Sequence, residues 1–129
     1  MAFTYPKSEK LKSRKTIEKL FSEGKSVSKF PLRLVYVENP DEIETIQMGV
    51  SVSKRNFKKA VDRNIFKRQL REAYRLNKHI LLENLDKPYA FMFLYQSKDR
   101  LSHEEIQSKT IALFEKFKVR DLPKLDENR

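Results

Sequence analysis

Apolar residues recur along this chain with two periods, and the switches between them mark its elements. In "SRKTIEKLFSEG", Ile17, Leu20 and Phe21 share one helical face, Ser13 stands where an N-cap is needed, and Gly24 stands where the helix stops. The period drops to two in "FPLRLVYVENPDE", where Leu32, Leu34 and Tyr36 alternate with Arg33, Val35 and Val37 ahead of an Asn-Pro-Asp turn. This predicts a strand. "IQMGVSVSK" alternates more cleanly, with Ile46, Met48, Val50 and Val52 on one side and Gln47, Gly49, Ser51 and Ser53 on the other. It predicts a second strand, paired with the first as a hairpin.

After the loop "KRNF" a long helical pattern runs to about His79, and Pro88 limits the connector "LLENLDKP". "YAFMFLYQ" is an unbroken apolar run of strand length, as in a central strand buried on both faces. "SHEEIQSKTIALFEKF" opens with Ser102 and Glu105 in capping-box spacing and aligns Ile106, Leu113, Phe114 and Phe117 for a core-facing stripe. The order helix, strand, strand, helix, strand, helix predicts an α+β sandwich, a small sheet with helices packed on it. The other face of the sheet is expected to stay open. Gly49, Ser51 and Ser53, with Arg33 and Val35, are small or polar enough there to let a ligand approach the backbone.

A length of 129 residues suits one domain with one core. We expect an ordered part at about residues 9–117, an extended basic arm before it and a frayed tail, "KVRDLPKLDENR", after it. Nine Phe and five Tyr supply a small aromatic core. The lack of cysteine excludes disulfides, a thiolate nucleophile and a Cys-based zinc site, and it suits a reducing compartment. With neither a signal-peptide pattern nor roughly 18 consecutive apolar residues, a cytoplasmic protein is expected.

The positive charge is concentrated in one stretch. Between Lys54 and Lys78 stand ten Lys or Arg against two acids, Asp62 and Glu72, a surplus of eight out of a net +10 for the whole chain. Concentration of this kind is the footprint of a polyanion-binding surface, with nucleic acid ahead of an anionic membrane. Advancing about 100° per residue places Arg63, Asn64, Lys67, Arg68, Arg71 and Arg75 in one arc of the long helix. Phe66, Leu70, Ala73, Leu76 and Ile80 fall in the opposite half. A merely solvated face would mix Glu with Lys. Arginine favours planar, bidentate contact with phosphates, and Asn64, a mediocre helix former, can hydrogen-bond a base or a sugar hydroxyl.

Intrinsic nuclease chemistry would need gathered carboxylates or histidines. His79, His103 and the loop acids Asp41, Glu42 and Glu44 are poor candidates for that role. A structural or regulatory protein binding RNA or DNA remains the main rival, because a basic helix also enters a major groove. A membrane-surface helix would need apolar residues to spare for lipid, and here the core requires them.

These residues carry a resemblance. "AVDRNIFKRQLREAYR" resembles the arginine-rich signature of the bacterial ribonuclease P protein subunit, "LKSRKTIEKLFSEGKSV" resembles that family's opening helix, and "MGVSVSKR" its strand before the signature. The similarity runs over roughly residues 9–117.

The resemblance implies a ribosomal-protein-S5-domain-2-like sandwich with an unusual left-handed crossover around the basic helix, against the general rule. It implies a subunit that binds the catalytic ribonuclease P RNA and precursor tRNA, with no obligate protein partner and no membrane. The RNA subunit hydrolyses the phosphodiester at the tRNA 5′ end with bound Mg²⁺, and the protein alone carries no catalytic residue. Arg63, Asn64, Lys67, Arg68 and Arg71 match the signature positions facing RNA, flanked by Lys54 and Arg55, with Lys58, Lys59 and Arg75 in the same basic region. A cleft between the first helix and the open sheet face, with Ile17, Phe21, Arg33, Val35, Ser51 and Ser53, would hold the single-stranded 5′ leader.

This chain departs from the pattern in several places. Ile17 stands where an aromatic is common, and Val35 where Tyr or another stacking group is expected. The link "KRNFKKAV" is longer and more basic than the usual glycine-containing one, and Ile65 stands where Arg is frequent.

Overall fold

The computed structural model describes residues 5–40, 45–83 and 85–119. A single 3-10 turn, Lys7–Glu9, precedes α1 (Arg14–Glu23), β1 (Lys25–Lys29), β2 (Leu32–Glu38), β3 (Ile46–Val52), α2 (Ala60–Leu82), β4 (Tyr89–Tyr95) and α3 (His103–Lys118). The strands form one sheet in the order β1-β2-β4-β3. β4, the most apolar of them, runs between two neighbours, antiparallel to β2 and parallel to β3. Its odd-numbered residues Tyr89, Phe91, Phe93 and Tyr95 join the main core, while Ala90 and Met92 join a second core on the opposite face.

The expected hairpin between the second and third strands is not formed. β2 and β3 are separated by β4, and β2 instead pairs with β1 in register from Lys25↔Tyr36 to Lys29↔Leu32. The physical reason lies in burial. A strand apolar on both faces gains most from a central position, and β3, with glycine and serine on one side, is left at an edge. β1 escapes the hydrophobic pattern because "KSVSK" has one apolar residue, Val27, between lysines and serines. Charged, polar strands of this kind are tolerated at a sheet edge.

α2 and α3 cover one face of the sheet, meeting Leu32, Leu34, Tyr36, Ile46, Met48 and Val52. Phe66, Leu70, Ala73 and Tyr74 enter this core from α2, and Ile106, Leu113, Phe114 and Phe117 from α3. Ser102 and Glu105 complete the capping box of α3, the Ser102 oxygen accepting from Glu105 N at 3.1 Å and a Glu105 carboxylate oxygen from Ser102 N at 3.0 Å.

The opposite face is only half open. α1, capped by the Ser13 side chain accepting from Thr16 N, lays Leu20 onto Val35, Ala90 and Met92, with Ile17, Leu11, Val37 and Leu94 packed around them. Gly24 ends α1 where a Cβ would lie 2.2 Å from Leu20 O and 2.9 Å from a Val35 methyl, so close approach requires glycine there.

Nor is the N-terminal segment an extended arm over residues 5–11. It packs along β3, with Lys10 bridging Met48 and Leu11 N donating to Met48 O at 3.1 Å. The loop acids Asp41, Glu42 and Glu44 and the C-terminal tail from 120 onward lie outside the described residues. Among the described residues no helix is long and apolar enough to cross a membrane.

Candidate nucleic-acid interface

The sequence between β3 and α2 is basic except for one large apolar residue, Phe57. It is buried and stacks on Phe66 with ring centroids 4.8 Å apart. This anchor turns the loop so that Lys54, Arg55, Lys58 and Lys59 are all exposed ahead of the helix. Lys59, the N-cap, makes no side-chain cap. Arg63 holds the entry instead, its Nη1 donating to the carbonyls of Phe57 at 2.8 Å and Lys58 at 2.9 Å.

Along α2 the buried positions are Phe66, Leu70, Ala73, Tyr74, Asn77, Lys78, Ile80 and Leu81. That set turns the outward face away from the one the spacing predicts. Arg63 and Lys67 sit half-buried at its rim, Leu76 is half-buried, and Asn64, Arg68 and Arg71 are exposed with Val61 and Ile65 beside them. Arg75 is ion-paired with Glu72, whose carboxyl is held below the usual range by the Arg75 hydrogen bond. Lys78, counted in the basic window, faces inward and meets Glu9 at 3.0 Å. Of the ten cations between Lys54 and Lys78, the exposed ones are therefore Lys54, Arg55, Lys58, Lys59, Arg68 and Arg71.

Arg100 joins this neighbourhood without any signal along the chain. Its guanidinium lies 5.4 Å from the Phe57 ring centre and 5.8 Å from that of Phe66, and 3.2 Å from the Asp62 carboxylate. It joins the loop before α3 to the start of α2. The "KDR" run before the α3 cap carries the charge, but nothing in its spacing points to a partner far away along the chain.

The cleft residues are brought together only in part. Arg33, Leu94 and Ser51 form one cross-strand row on the α1 side of the sheet. Arg33 donates to Ser26 Oγ at 3.2 Å. Lys19 reaches Glu38 O at 3.2 Å from one flank of α1; Phe21, two residues on and about 200° round the helix, occupies the other flank and is 60% exposed.

Beyond the row opens a groove of about 620 Å³ lined by Ser51, Ser53, Arg55, Asn56, Leu94, Tyr95 and Gln96. Ser53 also shapes its rim, accepting from Arg55 N at 3.0 Å. Val35, by contrast, is only 4% exposed beneath α1, and Ile17 packs with it, so neither presents a surface for a base. Among the described residues no three His, Asp or Glu side chains gather to hold a metal ion.

The fold and this face define a small α+β protein whose crossover helix turns an apolar side to the core and a cationic side to solvent. A family profile described as Ribonuclease P matches residues 5–118. The ribonuclease P protein component of Clostridium botulinum is 38% identical over 112 residues, 85% of this chain and 95% of that protein. That of Porphyromonas gingivalis is 48% identical over 80 residues, 61% of this chain, a match spanning only 58% of the relative's length. Among solved structures, the RNase P protein of Staphylococcus aureus superposes with a TM-score of 0.71 at 23% identity, covering 86% of this chain and 96% of that one. The Thermotoga maritima RNase P protein gives 0.68 at 24% identity over 84% and 96%. These two are likenesses of fold. The chain belongs to the ribonuclease P protein family.

Proposed function

We propose that this protein is the protein component of a ribonuclease P, binding the catalytic RNA through the exposed side of α2 and the loop before it. The observation that carries this reading is the segregation of α2. Its buried side is committed to the core, while Arg68, Arg71 and the four loop cations have no structural task that would require so much like charge in one place. Cations on successive helical turns lie roughly 6 Å apart, which suits adjacent phosphates, and Asn64 offers an amide among them.

The groove beside Ser51 and Ser53 is the companion site for the single-stranded 5′ leader of precursor tRNA. Hydroxyls and amides along it can meet base edges and ribose hydroxyls, and Phe21 of α1 is exposed for a base. With Val35 and Ile17 closed into the second core, recognition there relies on polar contacts more than on stacking, which is worth about 1–3 kcal/mol per base. Phosphodiester hydrolysis belongs to the RNA subunit and its Mg²⁺.

The test is a titration of ribonuclease P RNA with the protein across a salt series, with duplex DNA as competitor. Steep salt dependence, a strong preference for the folded RNA, and loss of affinity in Arg68→Ala are expected. Equal competition by duplex DNA would instead favour a general nucleic-acid-binding protein.

A further inference from the structure

The segment 5–12 has both inward and outward residues. Tyr5, Glu9 and Leu11 are partly buried, whereas Lys7, Lys10 and Lys12 are exposed. The inward residues are tied down at several points. Glu9 accepts from Lys78 Nζ at 3.0 and 3.1 Å and from the Tyr74 hydroxyl at 2.8 Å. Tyr5 donates its hydroxyl to Met48 O and stands edge-on to Tyr74, with centroids 5.1 Å apart. Lys78 is only 5% exposed. A buried ammonium needs a partner, and the one present is supplied by this segment. Burial of Lys78 and docking of the segment thus depend on each other.

Docking brings Lys10 towards the cationic side of α2. The Lys10 ammonium lies 5.6 Å from the centre of the Tyr5 ring, which rests on Tyr74, and Arg71 is one turn before Tyr74 on α2. Glu9 is the only acid in the segment and is already neutralised by Lys78, so Lys7, Lys10 and Lys12 add their charge without offset.

We propose that residues 5–12 form a docked basic strap, fixed by Glu9 on Lys78 and Tyr74, that widens the cationic face of α2 as a surface for the phosphate backbone of a structured RNA. The proposal rests on the RNA-binding reading above. Glu9 is a positioning residue: it touches no phosphate, and it holds the lysines where they can.

The experiment measures affinity for ribonuclease P RNA against salt for the full chain, for the triple variant Lys7→Ala, Lys10→Ala, Lys12→Ala, for Glu9→Gln, and for Arg68→Ala as reference. Three lost phosphate contacts should reduce the slope of log K against log salt by about 2 to 3, with binding roughly tenfold weaker or more. Glu9→Gln should lower the slope in the same direction and speed hydrogen exchange at the Leu11 amide, which is bonded to Met48 O. Adding it to the triple variant should then change the slope no further.

A triple variant with an unchanged slope, while Arg68→Ala still weakens binding, overturns the strap and leaves the RNA reading intact. No binding by the unaltered chain overturns the RNA reading itself. A lowered slope in Glu9→Gln with Leu11 still protected would overturn the positioning role.

Discussion

Arg63 turns its guanidinium back onto the loop that precedes it, donating to the Phe57 carbonyl at 2.8 Å, whereas Arg68, little more than one turn further along α2, is exposed. Two arginines of one basic run therefore have different tasks. Arg63→Ala should destabilise the protein by about 1.5–3 kcal/mol, the usual range for hydrogen bonds to a charged group, and should affect RNA binding through the loop. Arg68→Ala should stay within about 0.5 kcal/mol of the parent while losing affinity. Urea unfolding and RNA titration of both variants separate the two effects.

Arg100 closes the same corner from the α3 side, over Phe57 and Phe66 and against Asp62. Cation–π contact at an exposed site contributes about 0.5–1 kcal/mol, and an exposed ion pair about 0–1 kcal/mol. Arg100→Ala should thus lower stability by roughly 1 kcal/mol. Arg100→Lys should recover little of it, because a planar group is needed over the rings. Thermal unfolding of the two variants is the check.

Lys78 and Glu9 form a pair with little exposure on either side chain. Lys78→Met keeps the stem but leaves the Glu9 carboxylate against Tyr74 without a cation. It should cost roughly 3 kcal/mol, as expected when one member of a buried pair is removed. Equilibrium unfolding in urea measures this, and the second change Glu9→Gln should restore part of the loss.

Burial pushes the Tyr5 hydroxyl up to about 12, with the Arg71 charge opposing the shift and Glu9 adding to it. Tyr74 is raised in the same direction by burial first and then by the Glu9 hydrogen bond. Both folded values lie above the unfolded one, so this contribution is fully present below about pH 10 and is lost as pH rises towards the folded values. The parent should lose thermal stability above pH 10 more steeply than the double variant Tyr5→Phe, Tyr74→Phe. Parallel curves from pH 8 to pH 11.5 would contradict the assignment.

Much of this was legible along the chain because it is local. The period of α2, the unbroken apolar run of β4 and the Ser102–Glu105 box each sit within one stretch of sequence. Pairing is not local: nothing between Glu38 and Ile46 indicates that β4, more than forty residues on from β3's start, will come between β2 and β3. β1 was hidden because an edge strand needs no apolar face.

The cationic side of α2 could be drawn from its spacing, but its rotation could not. That depends on Tyr74, Asn77 and Lys78 being buried as well, and a buried lysine is intelligible only once Glu9, 69 positions earlier, is seen beside it. Val35 illustrates the same limit on the sheet, since strand alternation assigned its face correctly but could not show that Leu20 of α1 would lie across it.

A role in ribonuclease P is decided by cleavage of a precursor tRNA by the cognate ribonuclease P RNA at low Mg²⁺, with and without this protein. Accurate 5′ processing, stimulated by the full chain and much less by Arg68→Ala, is the predicted result. A folded protein that binds that RNA yet leaves cleavage unchanged would contradict the assignment as the ribonuclease P protein component.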